Sequence, residues 1–436
     1  MHVVSTFIRL STSAAKVVRG TRMTDVPGLA PRLAALKLLD AVLRRGLPLE
    51  AALAGSTRGI ERAEDRALAR AIAAETLRRL PDLDALIDSA TRNRLADDAK
   101  ARMVIRIALV QVLVLGTPDH AAIATALPLV DGGPRRLVHG VIGTLLRRAP
   151  VLPPHPTLPD AVLARWHPAW GDDMIDAASA AIAAPPPVDL TIKDPAMTEQ
   201  WAEKLSGTSL APGHVRLSRG TAIHDLPGYD EGAWWVQNIS ASLPARALGA
   251  GEGRTVIDLC AAPGGKTMQL AAAGWTVTAL DSDRARLVRL EDNLTRTKLS
   301  AEVVQGDVLK WEPKAPVSAI LLDAPCSATG IFARHPDVLH RVRTKDISEL
   351  AAQQTAMIAR VAKWLVPGGQ FVFATCSLER AEGEAQVEAA LASGLVLNPL
   401  QSQELVRGFT PTTEGWMRVL PRNHADGFFI ARFTKP

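Results

Sequence analysis

The chain has 436 residues, 47 % hydrophobic and 22 % charged, with a net charge of +5 and an isoelectric point near 9.3. That length predicts two or three folded domains, and the composition excludes a disordered or fibrous chain. No apolar run reaches the ~18 residues of a membrane span, and Cys260, Cys326 and Cys376 are too widely spaced for a disulfide framework or a zinc site.

The wide cysteine spacing favours a reducing, cytoplasmic setting, with no metal and no membrane partner. The positive excess suits a polyanionic partner without identifying one. Residues 1–22 are basic, contain Ser and Thr, and lack acids. They read as a transit peptide or, preferably, as a start placed too far upstream of Met23. Residues 1–26 are expected to form a disordered extension.

Residues 27–150 are rich in Ala, Leu and Arg, with apolar residues at helical spacing, as in Leu33, Leu36, Leu39 and Leu43. This predicts an all-helical domain. Met103 to Gly116 is its most apolar stretch, but contains Arg106 and Gln111 and reads as a buried helix. Prolines from Pro150 to Pro159 open a linker with short helices, residues 151–183. Residues 184–245 read as a small α+β subdomain of ferredoxin or RRM-like type. Trp234 and Trp235 there are better used in packing than in base stacking.

From residue 246 onward the pattern is α/β. Strands are expected at Val256–Leu259, Thr276–Leu280, Ala301–Val304, Ala319–Leu322 and Gln370–Ala374. A helix from Asp346 to Leu365 is expected to stop at Pro367-Gly368-Gly369. Strands alternating with helices imply a parallel, doubly wound, Rossmann-like sheet whose ligands bind at the carboxyl ends of the strands. Asp281, Asp307, Asp323 and Cys376 fall at those ends, as does the loop Cys260-Ala261-Ala262-Pro263-Gly264-Gly265-Lys266.

The loop is not a phosphate loop, because Cys260 stands where that motif needs glycine, and no G-x-G-x-x-G is present. Its small residues suit S-adenosylmethionine. Backbone N–H groups would meet the methionine carboxylate, Asp281 the ribose diol and Asp307 the adenine amino group. Each aspartate alone could be a helix cap. Three at consecutive strand ends favour a cofactor site.

Asp323-Ala324-Pro325-Cys326 and Thr375-Cys376-Ser377 end the fourth and fifth strands. If those strands are neighbours, both thiols face one pocket. A thiolate adding to C6 of cytosine makes C5 nucleophilic enough to take a sulfonium methyl. A protonated Asp323 could assist at N3. A free thiol has a pKa of about 8.5 and needs positive surroundings to act as a nucleophile. Lys266 or Arg334 could supply them. Cys260 reads as a packing residue, and the residues alone do not rank Cys326 against Cys376.

These motifs, with Arg334-His335-Pro336-Asp337 and Asp426-Gly427-Phe428-Phe429, resemble the NOL1/NOP2/Sun family of RNA cytosine-5 methyltransferases over residues 184–436. Glu64-Asp65-Arg66-Ala67-Leu68 and Asp119-His120-Ala121-Ala122 resemble the NusB RNA-binding fold. The end of that domain, Val138-His139-Gly140-Val141-Ile142, departs from the usual asparagine-containing stretch. The NusB-like fusion points to the bacterial members that act on small-subunit (16S) ribosomal RNA. The resemblance implies attack on C6 by Cys376 and release of the product assisted by Cys326. It also implies cofactor binding by residues 260–266, Asp281, Asp307 and Asp323, in a protein acting as a monomer. The competing readings are a non-catalytic RNA-binding assembly factor, a methyltransferase on another RNA, and a DNA cytosine methyltransferase.

Overall fold

A computed structural model describes residues 27–436, so the extension expected at the amino terminus lies outside the described residues. The first part is helical, from Leu29–Leu43 through Gly132–Arg147, around one apolar core. Its central helix, Lys100–Leu113, is buried for most of its length. Arg102 and Arg106 are nearly inaccessible there, and Asp84 and Asp88 meet them at 2.6 to 3.0 Å. The acids make burial of two guanidinium groups tolerable. Among the described residues, no helix is long and apolar enough to cross a membrane.

Helices Asp160–Trp170 and Asp172–Ile182 follow. Their apolar faces pack with Phe332, Val338, Leu339 and Leu378, so this connecting stretch backs the segments that follow the two cysteines. Three short strands come next: β1 (Val188–Ile192), β2 (His214–Leu217) and β3 (Trp234–Val236). They form an antiparallel sheet in the order β2-β1-β3, with helix Thr198–Lys204 on it. Trp234 is fully buried in this unit, while Trp235 packs with Ala261, Ala262 and Met268 of the next. Both tryptophans therefore serve packing.

The carboxyl-terminal part holds β4 (Thr255–Leu259), β5 (Thr276–Asp281), β6 (Glu302–Gln305), β7 (Val317–Asp323) and β8 (Leu365–Thr375). It continues with β9 (Val396–Leu397), β10 (Met417–Val419) and β11 (Phe428–Thr434). The sheet order is β10-β11-β8-β7-β4-β5-β6, with β9 beside β11. From β8 to β6 all pairs are parallel, whereas β11 runs antiparallel to β8 and β10. The sheet is thus mixed, a doubly wound core closed by an antiparallel edge. The centre of β7 is an apolar run covered on both faces, as buried parallel strands require.

One expected boundary differs. Helix Thr344–Val361 ends earlier than expected, and β8 begins at Leu365 and runs through Pro367-Gly368-Gly369. Pairing with β7 slips between Val317 and Ala319, and Gly368 takes a left-handed φ of 76°. The Pro-Gly-Gly sequence thus marks an irregularity within the strand rather than a helix stop.

Candidate active site

The β7 and β8 strands pair so that Asp323 lies opposite Ala374, and the segments carrying Cys326 and Cys376 leave the sheet side by side. The two Sγ atoms are 3.5 Å apart. The segment after Cys326 is tied to its neighbour by Gly330 N–H donating to Cys376 O and Gly427 N–H donating to Gly330 O. A Cβ on Gly330 would overlap the Gly427 carbonyl, so glycine is required for this close approach.

A cleft of about 380 Å³ opens along this edge, and its walls include Cys260, Asp281, Asp307, Asp323, Cys326 and Cys376. Six of the residues singled out in the sequence therefore meet in one cavity. Ala261 and Ala262 instead pack beneath it against Trp235 and Leu287. Pro263, Gly264 and Gly265 form the turn into helix Gly265–Ala272, where Gly264 has a φ of 102° and needs no Cβ. The Asp281 carboxylate accepts from Ala262 N at 3.1 Å and Asp283 N at 3.0 Å, tying the acid to the turn.

The positive charge comes from Lys266. Its Nζ lies 2.7 Å from Asp323 Oδ2 and 5.4 Å from the centre of the Phe428 ring. Burial opposes the ammonium, but Asp323 and Asp258 outweigh it and raise its pKa, with a smaller contribution from Cys376. Asp323 Oδ2 accepts from this ammonium, so one of its oxygens is already engaged by Lys266. Arg334, the other candidate cation, is turned away. Its Nε lies 3.3 Å from Asp426, and its Nη2 donates to Pro187 O.

The three thiols differ. Burial, then the carboxylates of Asp323, Asp281 and Asp258, push Cys260 up to about 12, which suits an inert packing residue. Cys326 is raised well above the ordinary thiol range, first by its hydrogen bond to Cys376, then by burial and nearby negative charge, including Glu382. The raised Cys326 thiol thus sits in contact with Cys376, and either sulfur can donate to the other.

Two features of the site were not anticipated. Arg286, on helix Arg284–Thr297, reaches over the cleft, donating to Ala262 O and lying 3.5 Å from Asp281. Nothing in a surface-helix arginine signals this position. Asp258 is completely buried below the loop. Thr267 donates to its Oδ2 at 2.6 Å, while its Oδ1 has no partner. Asp258 is not part of the cleft wall; the carboxylates of Asp281 and Asp307, which are, fit the hydroxyl and amino donors of S-adenosylmethionine. Gln237 supports the loop from beneath, touching Gly265 and donating to Gln269 Oε1. Asn238 caps helix Ile239–Arg246 and donates to Asp189, so it joins the small sheet to the larger one.

The helical part meets the active-site side directly. Arg78 is buried and donates to Ile182 O and Ala333 O. His340 Nε2 lies 2.7 Å from Leu77 O, and Leu49 N–H donates to Asp337. The Arg334-His335-Pro336-Asp337 segment is therefore the start of a seam with the helical part. Among the described residues, no group of three or more His, Cys, Asp or Glu side chains could hold a metal.

Comparison with known proteins agrees in both parts. Residues 245–434 match the family described as 16S rRNA methyltransferase RsmB/F, and residues 29–149 match the NusB family. The chain is 33 % identical to the ribosomal RNA small subunit methyltransferase B of Xanthomonas campestris, over 94 % of this chain and 98 % of the relative. Among solved structures it is similar to PH0851, with a TM-score of 0.72 and 22 % identity over 94 % of this chain and 99 % of that one. A methyltransferase homologue from Pyrococcus horikoshii gives a TM-score of 0.54 and 27 % identity, covering 63 % and 94 % of the two chains.

Proposed function

The chain belongs to the 16S rRNA methyltransferase RsmB/F family, and from that premise we propose that it methylates C5 of a cytosine in small-subunit ribosomal RNA through a covalent cysteine adduct. It is an S-adenosylmethionine-dependent RNA methyltransferase with an amino-terminal NusB domain. The observation that carries the finer reading is the pair of thiols 3.5 Å apart, in a cleft also lined by Asp281, Asp307 and Asp323. Plain transfer to a nitrogen or a ribose oxygen has no use for two adjacent thiols.

Bound S-adenosylmethionine supplies the electrophilic methyl group. Asp281 and Asp307 would hold its ribose and adenine, and the turn of residues 260–266 would meet its methionine end. Cys376 releases its thiol proton to solvent water, and its Sγ, beside the Lys266 ammonium, forms the bond to C6 of the cytosine. That moves electron density to C5, while Asp323 accepts a hydrogen bond from the N4 amino group of the ring. C5 takes the methyl group. Water then takes the C5 proton, the electron pair restores the C5–C6 double bond, and the C6–S bond breaks to return the Cys376 thiolate. Cys326 assists that release. The target base must leave its stack to reach the thiols.

We assign residues 27–150 to the RNA-binding helical domain, 151–183 to the linker, 184–245 to the small α+β unit and 246–436 to the methyltransferase domain. The protein acts as a monomer in the cytoplasm. Transfer of labelled methyl to unmodified ribosomal RNA, followed by bisulfite mapping in a deletion strain, tests the reading. One cytosine losing its C5 methyl is the expected result. RNA binding without transfer would leave a non-catalytic assembly factor, and label on DNA or on another RNA would change the substrate.

A further inference from the structure

Glu382 is a fully buried carboxylate lying in no ion pair among the described residues. Leaving a carboxylate in such a place is costly unless hydrogen bonds replace its water. They do, and they come from informative residues. Ser327 Oγ and Ser377 Oγ each donate to Oε2 at 2.5 Å, and Ser327 N–H donates to Oε1 at 2.9 Å. Ser327 directly follows Cys326, and Ser377 directly follows Cys376.

The grip is closed on other sides. Thr375 Oγ1 donates to the Glu382 main-chain carbonyl at 3.0 Å, and Thr375 directly precedes Cys376. Thr329 Oγ1 lies 3.4 Å from Ser327 Oγ and 3.3 Å from Ser377 Oγ, and accepts from Leu378 N–H. Gln354 donates to Pro325 O, on the other side of Cys326, and reaches Glu382 Oε1 at 3.5 Å. A hydrogen-bonded network centred on one acid thus engages the chain on both sides of both cysteines. Burial raises the Glu382 pKa, and the hydrogen bonds from Ser327 and Ser377 work against that rise by favouring the carboxylate.

We propose that Glu382 is the positioning residue of the two-thiol centre: by gripping Ser327 and Ser377 at once, it sets the separation of Cys326 and Cys376. It touches neither base nor cofactor. It also puts a negative charge under Cys326, opposite in sign to Lys266 beside Asp323, and so favours the protonated form of Cys326. The proposal rests on the covalent reading above, but its geometric part can be tested apart from it.

Two readouts are taken on the full chain. The first is methyl transfer to unmodified small-subunit RNA as a function of pH. The second is closure of a Cys326–Cys376 disulfide by diamide, which takes up the two electrons and two protons released. Closure depends on the thiol separation and needs no RNA. Glu382→Ala is expected to slow closure, and to lower kcat by roughly 100-fold as expected for misplaced reacting groups, with KM for S-adenosylmethionine unchanged. Glu382→Gln, which keeps the shape, is expected to restore much of the closure rate. It should move the pH at which Cys326 becomes alkylated downward, because the charge below it is gone.

Closure at the wild-type rate in Glu382→Ala overturns the proposal, whatever happens to kcat. If Glu382→Ala does not fold, Ser327→Ala and Ser377→Ala each release one grip and should each slow closure. Wild-type closure in both overturns it equally. A wild-type enzyme that transfers no methyl to cytosine would remove the proposed function, while the closure comparison would still decide what Glu382 does.

Discussion

The two halves of the cleft are built on opposite plans. On the β4-β5-β6 side, Asp281 is bonded to backbone N–H groups and Asp307 is partly exposed. On the β7-β8-β11 side, side-chain hydroxyls, a buried acid and a glycine-to-glycine contact lock the segments carrying the thiols. The difference follows from what each half does under the proposed function. One must admit and release a small molecule at every turnover, so it keeps polar groups available. The other must hold two sulfurs against one face of a base, so its polar groups are spent on each other.

The largest expected effect lies on the locked side. Cys376→Ala should lower methyl transfer by at least ~10⁴-fold, since removal of a nucleophile leaves only binding and orientation. Cys326→Ala should instead accumulate RNA bound covalently to the protein, visible as a shifted band on a denaturing gel. An adduct in Cys376→Ala and none in Cys326→Ala would exchange the two roles and reverse the comparison.

On the open side, Asp281→Ala should raise KM for S-adenosylmethionine by roughly 10–100-fold, the worth of hydrogen bonds to a charged group. Transfer at saturating cofactor should persist, and disulfide closure at the thiols should be untouched. A change in closure would mean that the halves are not independent.

The smallest effect is on stability. Burial dominates at Asp258 and lifts its carboxyl to about 7, against the hydrogen bond from Thr267. An acid whose pKa is higher in the folded state binds its proton more tightly there. It therefore contributes stability that is fully present below about pH 4 and is lost as the pH rises through about 7. Asp258→Asn cannot titrate and should lack that decline. Its Tm should exceed that of the parent by about 3 °C or more at pH 8.5, with the gap narrowing toward pH 5. A gap independent of pH would mean that Asp258 does not carry the titration.

Much of this was legible in the chain because α/β proteins put ligands where strands end. Once the apolar runs at 256–259, 276–280 and 319–322 are read as strands, Asp281, Asp323 and Cys326 follow them directly. The NusB-like part was legible from helical periodicity and short motifs. What escaped is tertiary. Arg334 has the charge to assist a thiolate, but Asp426 claims it. Pro367-Gly368-Gly369 has the composition of a helix stop, yet pairing with β7 carries the strand through it. Glu382 lies six residues beyond Cys376 with nothing local to distinguish it from Glu379 or Glu384. Only the folded chain brings Ser327 to it, across 55 positions of sequence.

The seam around Arg78 bears on how the protein can be divided. A catalytic fragment cut away near residue 150 would leave the carbonyls of Ala333 and Ile182 without their guanidinium, and Asp337 without the Leu49 amide. Ile182 and Ala333 belong to the cluster that backs the Cys326 segment, and Asp337 directly precedes Val338 of the same cluster. Biochemists trimming this enzyme to its transferase half would therefore be removing part of the wall behind the reaction, and not a detachable handle for RNA.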